Sequence, residues 1–135
     1  MNKNELVWEF DEPLQKESAI DDFEIDFAYK IPSEIKTLIQ KHNCAYPSKD
    51  TFDTPREGMV FAHLLSFNPD SSESVFLFLD NFKNGKSLKA LPFGTDGFGN
   101  LICEKAGKIY FWSHETDQME FIAESLNDFL AMLHD

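Results

Sequence analysis

The groups best placed to do chemistry lie in residues 91–115, LPFGTDGFGNLICEKAGKIYFWSHE. His114 stands next to Glu115, and Asp96 and Asn100 lie at the other end of the stretch, a polar set that could supply an acid and a base. The residue types favour a quieter role. Asp, Gly and Asn in TDGFGN are what tight turns with positive φ ask for, and a His and Glu after a strand often cap it or bond to nearby backbone. No G-x-S-x-G, H-E-x-x-H, P-loop or dinucleotide fingerprint occurs, and GFGN lacks the strand and helix context such a loop requires. Ser66 and His63 show no motif that would activate a nucleophile. Cys44 and Cys103 are read as reduced thiols with no assigned chemistry, in a chain whose core needs no staple. A zinc site would need more Cys and His at closer spacing. The expectation is therefore no catalytic residue, no metal and no cofactor.

Length, composition and charge narrow the class. A chain of 135 residues, 42% hydrophobic and 14% aromatic, reads as one domain with a sizeable core. It has no secretory h-region at its start and no long apolar run, so the expectation is a cytoplasmic protein. The net charge of −12 is concentrated at the two ends. Residues 1–30 carry nine acids against three lysines, net −6, and residues 113–135 carry six acids with no Lys or Arg, another −6. Phosphate neutralisation needs Lys and Arg on the protein, so direct binding of nucleic acid or an anionic membrane is not expected. A basic protein partner would suit the chain, although acidity also simply keeps a domain soluble.

The elements that must position these residues follow from periodicity. Leu6, Trp8 and Phe10 alternate as in a strand, closed by Pro13. Ile20, Phe23 and Phe27 predict a helix over 14–27. Pro32 opens a second helix carrying Ile35, Leu38, Ile39 and His42, which should stop near Asn43, a residue that tolerates left-handed geometry. Residues 59–67, MVFAHLLSF, read as one buried strand, and NPDSSES at 68–74 as a loop. Val75, Phe78, Leu79 and Phe82 share a helical face, with Asp70 and Glu73 as a capping box, so helix is preferred over strand there. Residues 101–104 and 108–112 form a hairpin across Lys105, Ala106 and Gly107. In the last segment Ile122, Leu126, Phe129, Leu130 and Leu133 fall on one helical face, with Glu120, Glu124 and Asp128 opposite as an acidic stripe. Those three acids, with Asp117, are the candidate protein-binding residues.

The ordered set of features resembles the SUKH superfamily, the Smi/Knr-like domains of yeast cell-wall regulators and of bacterial immunity proteins. The resemblance runs through a first helix bearing Ile20 and Glu24, IPSEIKTLIQKHN with Pro32 and Asn43, and LLSFN. It is closest in residues 91–115, where Pro92, Phe93, Asp96, Gly99, Asn100, Trp112, His114 and Glu115 match the family pattern, and it ends in IAESLNDFLAML. Nearly the whole chain is covered. One departure is that Cys44 and Ala45 follow Asn43 where many members have two glycines, which predicts a differently shaped loop over 43–52. The resemblance implies a single-domain α+β fold, a twisted and mostly antiparallel sheet with helices packed against it, and no catalysis. It further implies an immunity protein that binds and neutralises a cognate toxin, often a nuclease. The alternative is a regulatory or scaffold domain without a toxin partner.

Overall fold

In the computed structural model, which describes residues 6–85 and 87–135, the chain folds as α+β. Glu5, one of the nine N-terminal acids, lies outside the described residues. In chain order the elements are β1 (Trp8–Glu9), α1 (Ala19–Phe27), α2 (Ser33–His42), β2 (Tyr46–Pro47), β3 (Thr51–Phe52), β4 (Met59–Val60) and β5 (His63–Leu64). Two 3-10 turns follow (Val75–Phe78 and Asp80–Phe82), then β6 (Lys83–Asn84), β7 (Ser87–Leu88), β8 (Leu91–Thr95), β9 (Leu101–Lys105), β10 (Lys108–Ser113), β11 (Gln118–Ala123) and α3 (Leu126–Met132). The main sheet is antiparallel with strand order β11-β10-β9-β8-β5, and three two-strand ribbons pair β1 with β2, β3 with β4 and β6 with β7.

Each helix buries the face its spacing predicts. Ile20 and Phe23 of α1, Ile35, Leu38 and Ile39 of α2, and Leu126 and Phe129 of α3 enter one core cluster. Phe129 sits between Phe52 and Phe61, at centroid distances of 5.3 and 5.4 Å, and so joins α3 to the segments before β8. Pro92 occupies an inner strand of the sheet, where a missing N–H would break the ladder. A register shift between Pro92 and Gly94 absorbs it. Gly94 is needed for space, since a Cβ there would come within 2.7 Å of the Phe61 ring.

Several elements differ from the periodicity, each for a local reason. The first helix begins at Ala19, because residues 12–15 are held by the loop after β5. The Gln15 N–H donates to Asn68 Oδ1 at 2.9 Å, and Asn68 Nδ2 donates to the Pro13 carbonyl at 3.0 Å. At the end of α2 the left-handed residue is Cys44 (φ 65°), while Asn43 is extended. Cys44 thus adopts the backbone it was expected to resist. The run at 59–67 is buried but changes partner: Phe61 N–H bonds to the Asp50 carbonyl, and the next residue, Ala62, to that of Thr95. The segment at 75–82 forms 3-10 turns. Ser74, which accepts from the Phe76 N–H, caps it in place of the expected Asp70 and Glu73. The hairpin turn shortens to Ala106 and Gly107, both at positive φ, with Lys105 paired to Lys108.

The long C-terminal helix is corrected most. Residues 118–123 pair with β10 as strand β11, and only Leu126–Met132 is helical. Ser125 accepts a hydrogen bond from the Asp128 N–H at 3.1 Å and sets the helix start.

The N-terminal segment is tied down by a carboxylate. Glu12 accepts hydrogen bonds from the Ser66 hydroxyl, from Asn68 Nδ2 at 3.0 Å and from the Ser71 hydroxyl at 3.0 Å. Burial pushes its pKa up, but the three hydrogen bonds outweigh burial and hold it below the usual carboxylate range. A carboxyl with a depressed folded-state pKa contributes stability above its unfolded pKa and loses it as pH falls through the folded value. Glu12→Gln is accordingly expected to cost about 1–2 kcal/mol at pH 7. Urea melts between pH 3 and 7 should show a shallower acid decline for the variant than for the parent chain.

Candidate functional site

The polar residues singled out in 91–115 come together as a closed circuit. The loop between β8 and β9 turns through Gly97 (φ 84°) and Gly99 (φ 94°). Asp96 Oδ1 accepts from the Phe98 N–H at 2.7 Å and the Asn100 N–H at 3.2 Å, while Oδ2 accepts from Asn100 Nδ2 at 2.8 Å. Thr95 Oγ1 donates to the Asn100 carbonyl and accepts from the Gly97 N–H, each at 3.0 Å. On the far side, Asn100 Oδ1 accepts from the His114 backbone N–H at 3.1 Å and contacts His114 Nδ1 at 2.7 Å. The Asn100 amide is oriented by its bond to Asp96, so its oxygen faces His114 and His114 Nδ1 must carry the proton.

This arrangement leaves little for catalysis. Both oxygens of Asp96 are engaged by turn donors, and His114 Nδ1 is committed to Asn100. Glu115 is exposed on an open cleft that also holds Arg56 and Phe98. Asp96, Asn100 and His114 therefore act together to fix a loop and to join it to the end of β10. Gly99 is part of the same joint, since a Cβ there would stand 3.2 Å from His114 Nδ1.

Other motif residues also serve the scaffold. Trp112 is buried, edge-on to Phe82 at 5.2 Å, and its Nε1–H donates to Asp117 Oδ1 at 2.8 Å. Asp117 at φ 55° makes the turn into β11. Phe93 is fully buried. Glu24 accepts from the Ile31 N–H at 2.7 Å and from Lys36 Nζ at 2.8 Å. Burial raises its pKa, yet Lys36 and the Ile31 N–H prevail and lower it. Glu24 thereby joins α1 to the start of α2, where the Pro32 carbonyl accepts from the Ile35 and Lys36 N–H groups. Asn43 donates through Nδ2 to the Glu12 carbonyl at 2.8 Å and the Ser66 hydroxyl at 3.1 Å, and accepts from the Phe67 N–H at 2.9 Å.

The acidic stripe does not form. Glu120 is a strand residue opposite Phe111 whose carboxylate is taken by Arg56, and Arg56 also lies 5.6 Å over the Phe111 ring. Glu124, in the connection to α3, bonds Lys108 at 3.0 Å. Asp128 stands alone in the first turn of α3. Helical periodicity failed because residues 118–123 are a strand, and the Ser125-x-x-Asp128 capping pattern was the signal for where the helix begins. Both thiols are buried. Desolvation pushes Cys44 up to about 11 and Cys103 further still, so neither is a reactive thiolate near neutral pH.

Sequence reasoning missed Phe98. It sits between the two positive-φ glycines, is 76% exposed, and is held at the tip by its N–H bond to Asp96. A lone Phe inside a Gly-rich turn was the available signal, since turns run over the surface.

Residues 16–132, which include this loop, match the model of the SMI1/KNR4 family (SUKH-1). The chain belongs to that family. Among curated proteins, none matches it. SMI1/KNR4 membership suggests an immunity-protein-like domain, of a kind that is generally non-catalytic. No helix among the described residues is long and apolar enough to cross a membrane.

The circuit predicts its own sensitivity. Asn100→Ala removes the partner of both Asp96 and His114 and is expected to cost about 2–3 kcal/mol. Gly99→Ala should cost about 1–3 kcal/mol through backbone strain and crowding of the His114 ring. His114→Ala, which leaves the Asp96 side intact, should cost only about 1 kcal/mol. Chemical denaturation of the three variants gives the order.

Proposed function

We propose that this chain is an immunity protein that binds a cognate protein toxin and neutralises it stoichiometrically. The observation that carries the reading is the loop at 95–100. Its polar groups are spent on internal bonds, and what it offers outward is an exposed Phe98 whose backbone N–H is fixed by Asp96. A polar cluster committed to placing an aromatic residue at a loop tip suits recognition, because the backbone there has little ordering entropy left to lose when Phe98 enters a partner's pocket. SMI1/KNR4 membership supports the same reading.

The charge fits a basic toxin, with a nuclease the natural class, since enzymes acting on nucleic acid present basic clefts. A net charge of −12 would speed encounter with such a partner and make the association rate fall with salt. The acids available for this are not the predicted C-terminal stripe, because Glu120 and Glu124 already hold Arg56 and Lys108. Phe98 would supply the contact that sets the lifetime of the complex.

Co-expression with the product of the adjacent reading frame, scored for rescue of growth, tests the reading; absence of rescue by the parent chain counts against it. Phe98→Ala is expected to leave the melting temperature within about 2 °C of the parent while weakening toxin binding by about 30-fold or more. Unchanged dissociation of the toxin from the variant would remove Phe98 from the interface.

A further inference from the structure

A second surface feature has a chemistry of its own. Between α1 and the loop after β5 runs a groove of about 200 Å3 lined by Phe23, Phe67 and Phe76. Phe23 is central, with its ring centroid 5.1 Å from that of Phe67 and 5.7 Å from that of Phe76. Phe23 and Phe67 belong to the core, while Phe76 is only partly buried and brings aromatic surface to the opening. Asp22 and Asp26, one turn apart on α1, line the groove beside these rings and are both exposed.

Neither carboxylate is spent on a cation of the chain among the described residues, and here, unlike elsewhere on the acidic surface, two such groups flank aromatic rings. Glu24, Glu120 and Glu124 are each paired with a cation of the chain itself. Among the described residues Asp22 receives only the Ser18 hydroxyl, at 3.0 Å. Asp26 has no hydrogen-bonding or ionic partner among the described residues. The lining carries these two carboxylates against a single cation, Lys16. An aromatic floor beside unpaired carboxylates is complementary to a guanidinium, whose flat face stacks on a ring while its N–H groups meet carboxylate oxygens. A lysine ammonium is more strongly hydrated and has no planar face, so it exploits the rings less well.

We propose that this groove seats an arginine side chain of a basic protein partner, its guanidinium against the Phe76 ring, which Phe23 backs from the core, and within reach of Asp22 and Asp26. This deepens the toxin reading and rests on it for the identity of the partner, whereas the chemistry of the seat rests on the groove.

The seat is tested without a toxin by titrating the full-length, 15N-labelled chain with N-acetyl-arginine methylamide and following amide shifts. Saturable shifts centred on Asp22, Phe23, Asp26 and Phe76 are expected, with the corresponding lysine and norleucine amides bound at least about three-fold more weakly. The double variant Asp22→Asn and Asp26→Asn alters exposed side chains only, so its amide spectrum should stay folded while arginine binding weakens by about five-fold. Shifts scattered over the acidic surface, equal binding of the norleucine amide, or an unaffected double variant would each overturn the seat. The growth assay separates the two ideas. Rescue by the parent chain without probe binding removes the seat and leaves the toxin reading; probe binding without rescue removes the toxin and leaves the seat.

Discussion

The buried Asn43 side chain is the interaction on which much of the architecture depends. It is 2% exposed and uses both its donor and its acceptor ends, on the Glu12 carbonyl, the Ser66 hydroxyl and the Phe67 N–H. Its own carbonyl accepts from the Glu12 N–H at 2.8 Å. Three segments distant in sequence thus meet at one amide: the strand-like N-terminus, the end of α2 and the chain leaving β5. The surrounding hydroxyls and the Glu12 carboxylate satisfy one another, so the network enters the core region without leaving an orphaned polar group there. Cys44 at positive φ is the local strain that comes with it. Geometry enforced by so many partners can hold a residue in a conformation it disfavours alone.

The same economy recurs at the other end of the sheet. Asp96, Asn100 and His114 have the residue types of an acid–base site, yet each is spent on another member of the set or on turn backbone. Several hydrogen bonds closed on one another order a loop even where His114 is exposed, because each fixes the geometry of the next. Trp112 and Asp117 repeat the pattern one turn later. In this fold, polar side chains mainly decide where backbone and aromatic groups stand.

Much of this was legible from sequence where one physical signal dominated. The buried faces of α1 and α2 and the hairpin at Ala106 and Gly107 followed from periodicity and turn chemistry, and the α+β class from the family resemblance. TDGFGN turns through Gly97 and Gly99 at positive φ as its Asp, Gly and Asn predict, whereas His114 bonds the Asn100 side chain and not nearby backbone. The failures occurred where a local pattern was ambiguous and a distant partner decided. Residues 118–123 fit a helix by spacing, but β10 offered a ladder, and Ser125 marked the true start of α3. Residues 59–67 form one apolar run by composition, yet they divide between two pairings because Asp50 and Thr95 present carbonyls on different sides. The long-range bonds of Glu12 and Asn68 to residues more than fifty positions away leave no trace in any sequence window. Groove and loop-tip surfaces were equally hidden, because they arise from how separate elements meet.

Strand β11 ends the main sheet, with Phe121 half exposed beside Glu120 and with Glu124 just beyond. A terminal strand is a template on which another chain can add, and an exposed aromatic invites it. Here the strand carries a single acid, Glu120, and its pairing to β10 shifts register between Ile109 and Tyr110. Glu120 and Glu124 spend their charge on Arg56 and Lys108, so what blunts this margin is the irregular register, which bends the strand pair away from the flat geometry that edge-to-edge growth needs.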